Sequence, residues 1–304
     1  MLTENVTRYV ELRRAMGFKF KVQAYLLHHF ARFAESRGDV SVRKETVLAW
    51  ATEALSAAQR RSRLLLVRRF AQSMHAEDAR HEIPPGDAFG RPTKNRRSPH
   101  IYTPDDLRRL LDAAAQLTPK GSLRPATYVT LLSLLVSTGI RISEALSLQL
   151  DDITRDGLLI RHTKFRKSRL VPLHATAREG LNRYVVRRME VGGDDRSVFV
   201  SMWGTRLAYS TVCAVFLHLI RSIGLRGEPG TSGPRIHDIR HTFAVRALEA
   251  CDGGKDEIVR HILALSTYLG HAHLSDTYYY LHATPKLMEE TALAGERLFR
   301  GGSA

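Results

Sequence analysis

A stretch of 22 residues, from Ile83 to Pro104, interrupts an otherwise helical sequence and limits the folds open to this chain. Its sequence, IPPGDAFGRPTKNRRSPHIYTP, holds five prolines and two glycines. Proline fixes φ and removes an amide donor, so neither a helix interior nor a central strand runs through such a segment. It reads as a linker, with expected divisions at residues 1–85, 86–103 and 104–304. At 304 residues in all, the chain is long enough for a hydrophobic core on each side of it.

Before the linker, four amphipathic stretches predict helices over about Glu4 to Met16, Val22 to Arg37, Lys44 to Ala57 and Gln59 to Ala76. In the second, Tyr25, Leu26, His29, Phe30 and Phe33 share one face of a 3.6-residue period, and Gly17 and Gly38 stand where the first two helices should stop. After Pro104 the period returns in DDLRRLLDAAAQL and across Thr127 to Ser137, then breaks at Gly139. GLLIRHTKF and SRLVPL are short β-prone runs around a basic turn, the pattern of an antiparallel hairpin. Helices are expected again over Ala175 to Glu190, Thr211 to Gly224, His237 to Cys251, Glu257 to Leu269 and Pro285 to Arg300. The fold class is therefore mainly α, with a small antiparallel sheet in the second of two domains.

Charge points outward. Forty-six Lys and Arg against 31 Asp and Glu leave +15, and the excess is denser in the first hundred residues. Such a surface favours a polyanionic partner. The linker adds Arg91, Lys94, Arg96 and Arg97, and the hairpin adds Arg166, Lys167 and Arg169, all candidate phosphate contacts. Two cysteines, Cys213 and Cys251, are too few for a disulfide framework. The start of the chain lacks the apolar run of a signal peptide, and no apolar stretch is long enough to cross a membrane. The expectation is a cytoplasmic protein, associated with the nucleoid and without a membrane partner.

Five separate pieces carry donors or nucleophiles: TGIRISEAL, TKFRKSRLVPL, HDIRHTF, YLGH and YYYLH. Taken singly, each has an ordinary structural role open to it. Arg141 can pair with Glu144 one helical turn on, Lys164 can be a solvated charge, and His237 and His271 can be hydrogen-bonded scaffold. Taken together, their order and spacing resemble the tyrosine recombinases of the phage integrase family, closest to the small Xer-type members. The resemblance runs from Thr138-Gly139-Ile140-Arg141 with Glu144, through Lys164, to His237-x-x-Arg240, Leu269-Gly270-His271 and, nine residues further, Tyr280-Leu281-His282. The helical first domain, with its RRSRLLLVRRF segment, resembles the family's SAM-like core-DNA-binding domain. The interval from His237 to His271 is 34 residues, longer than in familiar members, which leaves that surface open to a different protein contact.

The resemblance implies a two-domain clamp on double-stranded DNA, a tetramer on paired sites, a C-terminal subunit-exchange helix over about 285–300, and no metal or cofactor. An accessory recombinase or other protein is a further candidate partner. It implies Arg141, Lys164, His237, Arg240, His271 and Tyr280 as catalytic residues with Glu144 in support. The chemistry of these residue types is consistent with that: a pentacoordinate phosphorane needs fixed donors on its nonbridging oxygens, and guanidinium forks stay charged and bind two oxygens at once. Tyr280 would form a 3′-phosphotyrosyl bond, His237 is the candidate base or phosphate holder, and Lys164 the acid for the departing 5′-oxygen. One ester replaces another, so rejoining to a different strand is recombination, whether it serves integration, excision, transposition or dimer resolution.

Three other readings compete. His237 and His241 stand at i and i+4, the spacing of zinc-hydrolase ligands, but Asp238 occupies the place where those enzymes carry Glu, and Arg240 would sit beside the cation. A non-catalytic architectural DNA-binding protein predicts the loss of an active-site residue, and none is missing. A type IB topoisomerase shares the nucleophile but needs no partner site.

Overall fold

The computed structural model describes residues 1–90, 98–161, 168–251, 255–270, 273, 276, 277 and 280, and groups the chain into two units, Met1–Arg96 and Arg97–Ala304. The first unit is four helices: α1 (Leu2–Ala15), α2 (Lys21–Ser36), α3 (Lys44–Thr52) and α4 (Ala57–His75). Its core gathers Leu2, Val6, Leu27, Phe30, Trp50, Leu64, Val67 and Phe70, all fully buried. Rings meet edge to face within it, Tyr9 on Phe70 at 5.4 Å and Phe30 on Trp50 at 5.4 Å between centroids, the arrangement the ring quadrupoles favour.

Two expectations for this unit are corrected. The buried stripe of α2 is Ala24, Leu27, Phe30, Ala31 and Ala34, whereas Tyr25 is exposed and Leu26, His29 and Phe33 are only part-buried. Phe30 belongs to both stripes, and Leu26 and Phe33 pack against the core from its edge, so Tyr25 is the residue of the expected face left outside. The third helix ends at Thr52 and does not reach Ala57, because Ser56 starts the next one by accepting the Gln59 amide at 3.2 Å. The arginines of α4 are also more structural than their density suggests. Arg61 and Arg68 donate to the carbonyls of Gly90 and Pro84, and Arg63 lies over the Trp50 ring at 4.9 Å while donating to its carbonyl.

In the second unit, α5 (Pro104–Ala115) opens on a reciprocal cap. Thr103 Oγ1 accepts the Asp106 amide and Asp106 Oδ2 accepts that of Thr103, with proline at the first helical position. Helix α6 (Leu123–Thr138) buries one broad face, from Leu123 through Leu131 and Leu135 to Thr138, and is the central strut, packed by α5, by α8 (Ala175–Glu190) and by α10 (Asp238–Glu249). The hairpin pairs β1 (Leu158–Ile160) with β2 (Arg169–Val171) antiparallel, Leu158 opposite Val171 and Ile160 opposite Arg169. A four-residue α7 (Ile142–Ala145), a 3-10 turn at Leu150–Asp152, α9 (Tyr209–Ser222) and α11 (Lys255–Leu269) complete the described elements. Tyr102, fully buried, ties the start of this unit to α10: its amide donates to Thr242 Oγ1 at 3.0 Å, and its carbonyl accepts from Arg246 Nη2 at 2.7 Å. A smaller apolar cluster joins α10 and α11 through Val245, Leu248, Ile262, Leu265 and Leu269 and includes Tyr280. Among the described residues no helix is long and apolar enough to cross a membrane. The expected terminal helix over 285–300 lies outside them.

Candidate active site

Three chain segments converge at the lower end of α6. Gly139 caps that helix at φ +60°, a conformation that favours glycine, and turns the chain so that Arg141 becomes the residue before α7. The first turn of α10 brings His237, Arg240 and His241. The last turn of α11 brings the carbonyls of Tyr268, Leu269 and Gly270, the partially negative end of a helix.

Arginine side chains bind these segments together. Arg240, only 3% exposed, donates from Nη1 to Gly139 O at 2.9 Å and from Nη2 to Leu269 O at 2.8 Å, and it hydrogen-bonds the Tyr280 hydroxyl. Arg141 donates from Nη1 to Glu144 Oε1 at 2.9 Å and from Nη2 to Gly270 O at 3.2 Å. Glu144 Oε2 also accepts the Arg141 amide at 2.9 Å, so one carboxylate holds both the backbone and the head of that residue.

The electrostatics follow from burial and from like charges set close together. Burial and the neighbouring Arg141 charge lower the Arg240 guanidinium to about 10, so an anion placed here would relieve a repulsion the fold has built in. Burial raises Glu144, yet hydrogen bonds from Arg169 and from the Arg141 amide outweigh it and take the carboxyl down to about 2. Burial pushes the Tyr280 phenol up, against the pull of Arg240 and Arg141. Partial desolvation, with the Arg240 charge second, shifts His237 downward from its ordinary value, although the residue still reaches solvent. Burial and the adjacent His237 hold His241 at about 4. Its ring lies between two others, perpendicular to His237 at 4.9 Å and tilted against Tyr280 at 5.3 Å between centroids.

The structure thus brings Arg141, Glu144, His237, Arg240 and Tyr280 into one site. Lys164 and His271 lie outside the described residues, as do Arg91, Lys94, Arg96, Arg97, Arg166 and Lys167. Arg169 faces inward: its side chain is 12% exposed and is engaged by Glu144 and by the Tyr268 carbonyl. Strand alternation carries a signal for this, since Arg169 shares a face with buried Val171 while Leu170 between them is exposed. The carbonyls that hold the arginines carry no side-chain signature in the sequence. Among the described residues no group of three His, Cys, Asp or Glu is placed to hold a metal. The Asp238 carboxylate accepts instead from the amide and Nη2 of Arg235, each at 2.9 Å.

Comparison with known proteins gives a concordant picture. The model of the phage integrase family matches residues 101–286. Over 302 residues the chain is 39% identical to the "Putative integrase/recombinase y4rB" of Sinorhizobium fredii, covering 96% of this chain and 96% of that protein. It is 33% identical over 247 residues to the tyrosine recombinase XerD of Mycobacterium tuberculosis, covering 79% of this chain and 74% of the relative. Among solved structures, XerH site-specific recombinase bound to its palindromic difH substrate in a post-cleavage complex shares the fold, with a TM-score of 0.65 and 22% identity over 90% of this chain and 79% of that one. Family model and relatives agree that the chain belongs to the phage integrase family, the tyrosine recombinases, enzymes that cleave and rejoin DNA.

Proposed function

We propose that this recombinase exchanges strands between two DNA sites through a 3′-phosphotyrosyl intermediate made by Tyr280. The observation that carries this reading is the Arg240 fork, which is fixed by Gly139 O and Leu269 O and also engages the Tyr280 hydroxyl. A phenol is a weak nucleophile at its ordinary pKa of about 10, and burial raises this one further, so it needs a base and a cationic setting. Arg141 and Arg240 supply the cation, and His237 is the acceptor for the phenolic proton.

In the step itself, the Tyr280 oxygen forms a bond to phosphorus as the bond from phosphorus to the 5′-oxygen breaks. The phenolic proton passes to His237, and Lys164, carried over from the family resemblance, gives a proton to the departing oxygen. Arg141 and Arg240, with His271 on the same grounds, hold the nonbridging oxygens where negative charge develops. Rejoining reverses each transfer on a new 5′-hydroxyl, so neither water nor a nucleotide enters.

Duplex DNA is the partner, gripped by both units, and four copies act on two paired sites. The XerH complex is on a palindromic substrate, and a palindrome presents two equivalent half-sites to two copies of one protein. The test is strand exchange between two copies of the cleavage site on one supercoiled plasmid, the site being mapped first by sequencing the DNA ends of trapped covalent adducts. Excision should proceed in excess EDTA and vanish with Tyr280→Phe while binding to a single site persists. Cleavage that stops in EDTA, or survives in Tyr280→Phe, overturns the reading.

A further inference from the structure

Glu144 is a carboxylate shared between two arginines. Arg169 Nη1 donates to its Oε1 at 3.1 Å and Nη2 to its Oε2 at 2.8 Å, while Arg141 holds the same two oxygens through Nη1 and its backbone amide. The third edge of the Arg169 guanidinium is also occupied, Nε donating to the Tyr268 carbonyl at 2.8 Å. Gly270 closes against this head group, at φ +67° and so near that a Cβ there would stand 2.9 Å from Arg169 Nη1. Glu144 and Arg169 are 9% and 12% exposed, whereas Arg141 is 29% exposed. The open member of the trio is the one facing solvent, and the two behind it are fixed.

The charges give the arrangement a purpose. A single Arg141–Glu144 pair would be neutral, and its carboxylate would offset the attraction of Arg141 for a phosphate. A second guanidinium on the same carboxylate restores a net positive trio, and its bidentate grip leaves Glu144 one orientation in which to hold Arg141.

We propose that Arg169 is a positioning residue for the strand-transfer reaction, fixing Glu144 and through it the plane and effective charge of Arg141. This rests on the reading of Arg141 as a ligand of the reacting phosphate. Arg169 itself touches no substrate: its three nitrogens point at Glu144 and at the end of α11.

The test compares two duplexes carrying the mapped cleavage site, one with an ordinary scissile phosphodiester and one with a methylphosphonate there. The methyl group removes the negative charge that Arg141 is held to meet. Arg169→Met and Arg169→Lys should slow covalent adduct formation on the phosphodiester by about ten- to a hundredfold, the lysine variant less because it keeps one donor for Glu144. On the methylphosphonate both should fall within a few-fold of the parent, as should Arg141→Ala. Equal losses on both substrates, in either variant that folds, would show a merely structural role and overturn the proposal, as would undiminished cleavage of the phosphodiester. If Arg141→Ala discriminates between the substrates and the Arg169 variants do not, the proposal alone fails. If Arg141→Ala loses equally on both, the assignment of Arg141 fails and this proposal fails with it.

Discussion

Replacing Gly139 by alanine should cost stability and activity together, and the structure sets the size of both. At φ +60° an alanine is strained by about 1 to 2 kcal/mol relative to its preferred regions. A Cβ at this position would also stand 2.4 Å from Phe243 Cδ1 and 2.7 Å from its Cγ, closer than any real contact, so the ring must shift. That ring is stacked on Tyr268 at 5.7 Å, so displacing it disturbs a packed pair, and overpacking of this kind costs about 1 to 3 kcal/mol. Together the expected loss is about 2 to 5 kcal/mol. For a unit of this size the loss corresponds to a fall of roughly 4 to 20 °C in the midpoint of thermal unfolding. Activity follows because the Gly139 carbonyl accepts from Arg240, and moving it loosens the fork on Tyr280.

The assay is a double-mutant cycle with Phe243→Leu, read by circular dichroism melting and by adduct formation on a nicked duplex. The double variant should be more stable than the sum of the single losses predicts, because the smaller side chain removes the clash while the φ strain remains. Strictly additive losses would refute the clash, and an unchanged midpoint in Gly139→Ala would refute the backbone argument as well.

Three further outcomes are expected. Arg240→Lys and Arg141→Lys keep charge but lose the planar fork, so each should slow adduct formation by roughly ten- to a thousandfold, about 1.4 to 4 kcal/mol, and full activity in either would remove that guanidinium from the reacting phosphate. His241, held at about 4, takes up a proton far more readily unfolded than folded; its contribution is complete above about pH 6.5 and is lost as pH falls from there toward 4. Urea unfolding should therefore show the parent losing about 2 kcal/mol more than His241→Phe between pH 6.5 and 5, and parallel losses would contradict the burial of a neutral ring. Alanine at both Arg96 and Arg97 should weaken binding on every duplex alike and flatten the salt dependence of affinity by about 1 per lost phosphate contact, whereas a sequence-selective loss would mean the linker reads bases.

Where the fold rests on periodicity and local chemistry, the sequence was informative. Helix α8 runs from Ala175 to Glu190 as its pattern predicts, and the β-prone runs around residues 158 and 170 pair as a hairpin. The stripe of α2 was legible in part: Phe30 is in the core and Leu26 and Phe33 pack against it, but the adjoining buried alanines Ala24, Ala31 and Ala34 are too weakly apolar to mark their side of the face in the sequence. At the site, Arg141, Glu144, His237, Arg240 and Tyr280 were legible by order and spacing. The inward turn of Arg169 was hidden among basic neighbours that all suggest DNA. The role of Tyr268, Leu269 and Gly270 was not legible at all, since a helix-terminal carbonyl is available at any residue type and becomes an acceptor only when tertiary structure brings a donor to it.

The proposed mechanism requires one particular tyrosine in the run Tyr278-Tyr279-Tyr280 to attack the phosphate. Only Tyr280 of these is among the described residues, buried and bonded to Arg240. Trapping the adduct on a nicked duplex, digesting protein and DNA, and sequencing the nucleotide-bearing peptide by mass spectrometry identifies the attacking residue directly. The modified residue should be Tyr280, with the nucleotide joined through its 3′-phosphate. A nucleotide on Tyr278 or Tyr279, or a 5′-phosphate linkage, would contradict the account.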